Sequence, residues 1–225
     1  MDEPLLSTQI GARLRKLRLA TGRSLTSVAQ QMGISSSALS QIETGAMQPS
    51  VNRLVELVGV LGVPVSAIFD DLSVFALDDD GDDGDVLEPL PGVLVSRGVE
   101  VAPAHLGQGV VYRRLSPSQL PGVTWFESTY PPGSSSSLDG AMLVHPGYES
   151  GHVVTGELTF EFTEGAVRLG AGQSLSFAAT RPHRVVNETD AVAVSIWLTV
   201  DIERAAEAGA VGSGAAEAAE PTPAP

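Results

Sequence analysis

Three side chains in the C-terminal half of the sequence could act together on one small target. His145 and Glu149 stand four residues apart around a Pro-Gly bend, in the run His145-Pro-Gly-Tyr-Glu149. That spacing allows an imidazole and a carboxylate to point into one cavity, and His183, in Pro182-His183-Arg184, could join them from a distant strand. Two histidines and one carboxylate form the donor face typical of non-haem Fe(II), which leaves coordination positions open. The same residues also suit a cavity without a metal, with His145 and Glu149 as a polar pair and His183 bonded to backbone at a barrel rim. The residues alone leave both readings open. His152 is expected outside the site, because alternation along its strand sets it apart from Glu149.

A second constellation lies near the N-terminus, between Ser24 and Glu43. Ala29 is small where one helix must approach another, and Gly33 sits where a tight turn between helices needs a left-handed backbone. Leu39 and Ile42 return to a core at helical spacing, which leaves Ser36, Ser37, Ser40 and Gln41 facing outward. Short hydrogen-bonding side chains at the start and on one face of a helix suit the edges of bases in a major groove. Ser24 and Gln30 near the second helix, Ser35 at the start of the third, and Arg53 near the start of the fourth, are the corresponding phosphate and backbone candidates. The bland alternative is a helix pair used only for packing.

Charge favours the first of these. Between Thr8 and Phe69 six basic residues (Arg13, Arg15, Lys16, Arg18, Arg23, Arg53) face only Glu43 and Glu56, a net +4 in a chain of formal charge −14. The remainder therefore carries −18, but exposed charges are screened beyond ~8–10 Å at physiological salt, so a locally basic module on an acidic body still meets a polyanion. With no cysteine there is no disulfide, thiolate metal site or cysteine nucleophile. No apolar run reaches the ~18 residues of a membrane span, and the start Met1-Asp-Glu-Pro-Leu-Leu lacks the basic and apolar regions of a signal peptide. A cytoplasmic location is expected.

The elements that must carry these residues divide the 225-residue chain into two modules with appendages. Residues 1–7 are expected to be a disordered N-terminus. Residues 8–69 read as five helices: one capped by Ser7 or Thr8 with Ile10, Leu14, Leu17 and Leu19 as its stripe; one capped by Ser24; one from Ser35 or Ser36 to Thr44; one from Ser50 with Leu54, Leu57, Val58 and Leu61; and a short fifth with Val65, Ile68 and Phe69. Residues 70–92, with Asp78-Asp-Asp-Gly-Asp-Asp-Gly-Asp85, read as an acidic, flexible linker rather than a calcium loop, whose ligand spacing they do not match. Residues 93–202 break into short Val-, Thr- and Phe-rich runs between glycines and prolines, as in a β-sandwich or small barrel. Candidate strands are Val110–Leu115, Val123–Tyr130, Ala141–His145, Ser150–Val154, Leu158–Thr163, Ser174–Phe177, Arg184–Asn187 and Ala191–Val200. Residues 203–225 form an Ala/Glu/Pro tail, expected to be disordered. By strand alternation Tyr112 and Arg114 share one face and Trp125 and Glu127 another, which makes all four pocket candidates; for Trp125 and Trp197 core packing is the simpler expectation.

The segment from Leu25 to Gly45 resembles the helix-turn-helix of the phage-repressor-like (XRE, Cro/C1) family, and the likeness extends over about residues 8–69. The run His145-Pro-Gly-Tyr-Glu149, with Gly151 to Glu157, Leu169 to Ser174 and Pro182 to Asn187, resembles the two motifs of the cupin fold over roughly residues 121–200, with Gly156 and Gly172 at its turns. This resemblance implies a double-stranded β-helix barrel after the helical domain, and His145, Glu149 and His183 as ligands for one divalent transition metal (Fe, Mn, Ni or Zn). Two positions depart from the pattern: Leu143 stands where cupins usually carry the first histidine of His-x-His, and Gln173 replaces an acidic residue.

Both resemblances together imply a dimeric, sequence-specific transcription regulator. Its helical domain would grip palindromic operator DNA and its barrel would bind a small-molecule effector. Coupling is expected to pass through the linker by way of dimer geometry. The alternative is a mononuclear iron enzyme resembling hydroxypropylphosphonate epoxidase, which the His145/Glu149/His183 pattern fits; its phosphonate-gripping lysine has no counterpart, since the only lysine is Lys16 in the DNA-binding module.

Overall fold

A computed structural model describes residues 3–69, 93, 103–118, 120–203 and 205–206. The expected linker at 70–92 and the tail beyond residue 206 lie outside the described residues. Helix α1 spans Glu3–Ala20, so it starts well ahead of the cap expected at Ser7 or Thr8, and residues 3–7 are helical. Helices α2 (Leu25–Gln31), α3 (Ser36–Glu43) and α4 (Val51–Leu61) follow. Each begins on a serine hydroxyl that accepts a backbone N–H of the first turn: Ser24 from Ser27 at 3.1 Å, Ser35 from Ala38 at 3.1 Å and Ser50 from Arg53 at 3.2 Å. Such caps satisfy amides that have no partner within the helix. The expected fifth helix is a 3-10 turn, Val65–Phe69, a corrected count of four α-helices.

Ile10, Leu14, Val28, Leu39, Leu54, Leu57, Ile68 and Phe69 are fully buried in the helical core. Leu19 is not among them: at 59% exposure it lies off the stripe, because 100° per residue carries it away from Ile10 and Leu14. Beneath the apolar contacts runs one buried ion pair. Arg18 on α1 donates from Nε to Glu43 Oε1 (2.6 Å) and from Nη2 to Glu43 Oε2 (2.8 Å), with Nη1 on the carbonyl of Arg23 (3.0 Å). Arg18 thus clamps the end of α3 to α1, and one of the six cations counted from the sequence is a structural fixture.

The second module is a barrel of antiparallel strands: β1 (Ala104–His105), β2 (Val111–Arg114), β3 (Val123–Tyr130), β4 (Tyr148–Thr155), β5 (Glu157–Phe162), β6 (Gly165–Gly170), β7 (Ser174–Ala178), β8 (His183–Val186) and β9 (Ala193–Val200). One sheet has the order β1-β2-β3-β9-β4-β7 and the other β6-β5-β8. Ala141–His145, expected as a strand, pairs only at Leu143, which exchanges backbone hydrogen bonds with His183 (2.8 and 3.0 Å). The strands β1 and β6 were not anticipated. β6 is almost wholly exposed, so it shows no alternation to read.

The two modules touch. The Asn52 amide N–H donates to Ser136 O (2.9 Å), its side chain donates to Ala141 O (2.8 Å), and Gly107 N–H donates to Pro49 O (2.8 Å). Arg53 Nη2 lies 3.5 Å from Asp139 Oδ2. Among the described residues no helix is long and apolar enough to cross a membrane.

Removing one member of the buried Arg18–Glu43 pair strands the other without water. Glu43→Leu is expected to destabilise the helical domain by about 3–5 kcal/mol, and the double change with Arg18→Leu to recover most of it. Urea unfolding followed by the helical circular dichroism signal measures both.

Candidate functional site

Strand β4 places the key carboxylate. Its inward face carries Glu149, Gly151 and Val153, all buried, while Tyr148 and His152 point out. His152 bonds Ser174 on the outer surface (2.8 Å), outside the site as expected. Glu149 meets His145 Nε2 at 2.7 Å through Oε1 and accepts from Trp197 Nε1 at 2.8 Å through Oε2, while His183 Nε2 lies 3.7 Å from Oε1. The Trp197 ring reaches this point because its cross-strand partner is Gly151, where a Cβ would overlap the ring. Trp197 also stacks on Phe160, with ring centres 5.4 Å apart.

Each histidine is oriented by a carbonyl. His145 Nδ1 lies 3.0 Å from Pro146 O, and His183 Nδ1 lies 2.7 Å from Arg181 O. A carbonyl only accepts, so both Nδ1 atoms carry hydrogens, and in the neutral rings both Nε2 lone pairs face the carboxylate. Three electron-rich atoms therefore converge, all within 4.8 Å of one another. Such a cluster calls for a positive charge at its centre, either a proton on a ring or a metal ion. Outer carbonyls fixing the tautomer are also what a histidine ligand requires. Burial alone would raise the Glu149 pKa, yet the hydrogen bonds and positive charge of His145 and His183 hold it down at about 2. Burial would lower that of His145, and the bond and charge of Glu149 reverse this to a net rise.

Above this cluster lies a cavity of about 320 Å³, at the small end for ligand sites. Tyr112, Phe126 and Tyr130 line it with His145, Glu149 and His183. The Tyr112 and Tyr130 hydroxyls are 3.3 Å apart, and burial pushes both phenols upward, so both stay protonated.

The other expected pocket residues lie elsewhere. Arg114 shares the inner face with Tyr112 and is buried, but it does not line the cavity. Trp125 and Glu127 point outward: Trp125 is 42% exposed and Glu127 pairs with Arg113 at 2.9 Å. Strand β3 buries the opposite set (Thr124, Phe126, Ser128, Tyr130), and a period of two turns a one-residue misassignment into the wrong face. Trp197 packs in the core, as the sequence implies, and in addition it lines the cavity as a donor. A buried indole N–H needs an acceptor, which is the signal that could have marked it. The cavity roof was also missed, since it comes from α4.

In the helical module Gly33 has φ of 65° in the turn between α2 and α3, as the sequence required. Ser37, Gln41 and Gln30 are exposed, Ser36 and Ser40 half-buried, on helices whose other face is core. Ser24 and Ser35 serve as caps. Arg53 turns toward the barrel, bonded to Glu56 (2.8 Å) and Met32 O (3.3 Å) and beside Asp139.

Two family descriptions match the chain: a helix-turn-helix domain over residues 9–68 and a cupin domain over residues 126–200. The HTH-type transcriptional regulator PuuR of Escherichia coli (strain K12) is 28% identical over 183 residues, covering 79% of this chain and 86% of that protein. A solved HTH_3 family transcriptional regulator from Vibrio cholerae superimposes with a TM-score of 0.61 at 23% identity, over 88% of this chain and 98% of that one, a likeness of fold. FeII HppE superimposes with a TM-score of 0.41 at 18% identity, over 86% of this chain and 99% of that one.

Trp197→Phe keeps the stacked ring and deletes the N–H that holds Glu149. A hydrogen bond to a charged group contributes about 1.5–3 kcal/mol, and a loss of that size is expected in the urea unfolding of the barrel.

Proposed function

We propose that the chain is a phage-repressor-like helix-turn-helix regulator with a C-terminal cupin domain, which binds operator DNA as a homodimer under the control of a small molecule held in the barrel. The observation that carries the DNA half is the exposed Ser37 and Gln41 face of α3, on a helix anchored from behind by Leu39 and Ile42. Ser36 and Ser40 flank that face, Gln30 stands exposed on α2, and Ser24 and Ser35 present the starts of α2 and α3. In this role Ser37 and Gln41 read base edges, and the others position the domain on the backbone. Arg53 reaches phosphate only if it leaves Asp139. Two such heads on a dimer match half-sites about 34 Å apart.

His145, Glu149 and His183 form the floor of the effector site. The convergence of two lone pairs on a carboxylate, with both rings fixed from behind by carbonyls, supports a single divalent transition metal (Fe, Mn, Ni or Zn) there. Such an ion would be held by His145, Glu149 and His183 and would supply open positions for an oxygen donor of the effector. The same donor set suits a mononuclear iron enzyme, which iron-dependent turnover without DNA binding would establish.

Ser37→Ala with Gln41→Ala is expected to weaken binding to the protein's own promoter fragment at least about tenfold at fixed salt, since each base contact contributes about 1–3 kcal/mol. Fluorescence anisotropy measures it, and an unchanged affinity overturns the assignment of α3. Protein prepared without chelators should contain near-stoichiometric metal that His183→Ala loses; elemental analysis finding none in the native protein removes the metal from this reading.

A further inference from the structure

Helix α4 has two apolar faces. Leu54, Leu57 and Leu61 are buried in the helical core, while Val51, Val55 and Gly59, at four-residue intervals, line the cavity over His145, Glu149 and His183. An adjoining opening between α4 and the loop 139–146 is bordered by Val55, Gly59, Leu143 and His145 as well, so the cavity reaches the surface along the seam between the domains. We propose that α4 of the DNA-binding domain is the roof of the effector site, so that a small carboxylate-headed molecule with a compact apolar body is clamped between the two domains and holds the head against the barrel. This inference rests on the sensor reading above.

The chemistry of the two walls selects that class of ligand. Both Glu149 oxygens are already engaged, Oε1 by His145 and Oε2 by Trp197. In the Tyr112–Tyr130 pair one hydroxyl donates to the other, which leaves one O–H for a ligand and favours an acceptor head; Thr124, Thr199 and Asp201 also line the cavity. The roof presents valine side chains, a glycine and Asn52, whose amide already donates to Ala141 O, and no Lys, Arg, Asp or Glu of α4 lines the main cavity. An apolar body gains there, and a second negative charge beside Glu149 and Asp201 would lose its water without a partner.

Gly59 identifies the roof as built for an occupant. It lies inside a regular helix, where glycine costs up to about 1 kcal/mol relative to alanine. No packing contact requires it, since a Cβ at this position would meet nothing within 4 Å. What its missing side chain leaves is room in the cavity.

A direct clamp also gives coupling a route other than the linker. The roof helix is pinned to the barrel by the two Asn52 hydrogen bonds and flanked by Arg53–Asp139. Arg53 in turn bonds Met32 O, at the end of α2. A ligand that stabilises the docked roof stabilises one head position, and by linkage the head's position sets ligand affinity by the same factor.

Benzoate, one carboxylate on one apolar ring, is the probe. In a Trp125→Phe background Trp197 reports binding to the full-length protein by fluorescence. Benzoate is expected to alter Trp197 emission, to slow hydrogen exchange at the Asn52 amide, and to bind better than benzylamine. The series Gly59→Ala, Gly59→Val, Gly59→Leu should weaken it stepwise, reaching about tenfold or more at leucine because the cavity is then overfilled. These variants gain helix propensity and open no cavity, so thermal unfolding should show a fold at least as stable as the parent. If Trp197 responds but Gly59→Leu binds like the parent and Asn52 exchange is unmoved, the barrel alone is the site and the clamp is overturned while the sensor reading stands. Absence of any response to benzoate overturns the ligand class and with it the proposal. If the clamp is observed but promoter DNA is not bound, the shared cavity stands and the regulator reading fails.

Discussion

The barrel is organised around a single buried carboxylate. Glu149 is buried, with His145 and His183 on one oxygen, Trp197 on the other, and the cavity beside it. An isolated carboxylate in such a place would be protonated rather than pay desolvation. It stays charged because strands distant in sequence deliver compensating groups. Gly151 must be a glycine so that the Trp197 ring can cross β4, Leu143 must pair with His183 through backbone, and the carbonyls of Pro146 and Arg181 must fix the two rings. Removing any of these changes what the carboxylate can hold.

The helical module has an analogous arrangement, a buried Arg18–Glu43 pair, with a different consequence. There both partners are internal and saturated, and the pair fixes the angle of α3 to α1. At Glu149 the balance is left open, since two ring nitrogens converge on the carboxylate oxygen with room for a proton or a metal ion between them. A closed pair is a brace; an open cluster of this kind could hold a metal ion. Helix α4 connects the two, with leucines in one core and a valine and glycine face over the other module's cavity.

The serine caps at Ser24, Ser35 and Ser50, the positive φ at Gly33, the leucine and isoleucine core of α3 and α4 and most of the strands were legible in the sequence, because each depends on neighbours within a few residues. The triad of His145, Glu149 and His183 was legible through its resemblance to a motif, and the structure brings those three together. Harder to read were the face of β3 and the location of β6. Trp125 and Phe126 are both apolar and aromatic, so the sequence offers no way to choose which of them faces in, and β6 has no buried alternation at all.

By itself the sequence determined the two-module architecture, the helix boundaries set by local caps, and the identity of the three converging side chains, since periodicity, capping and motif spacing are properties of the chain read in one dimension. Tertiary structure alone decided that Trp197 completes the carboxylate's shell, that Arg18 is a brace and that Arg53 faces the barrel. It also decided that α4 closes the cavity of the other module. Each of these is a contact between residues tens of positions apart, and which face of an element meets which partner is settled only when burial of all of them is satisfied at once.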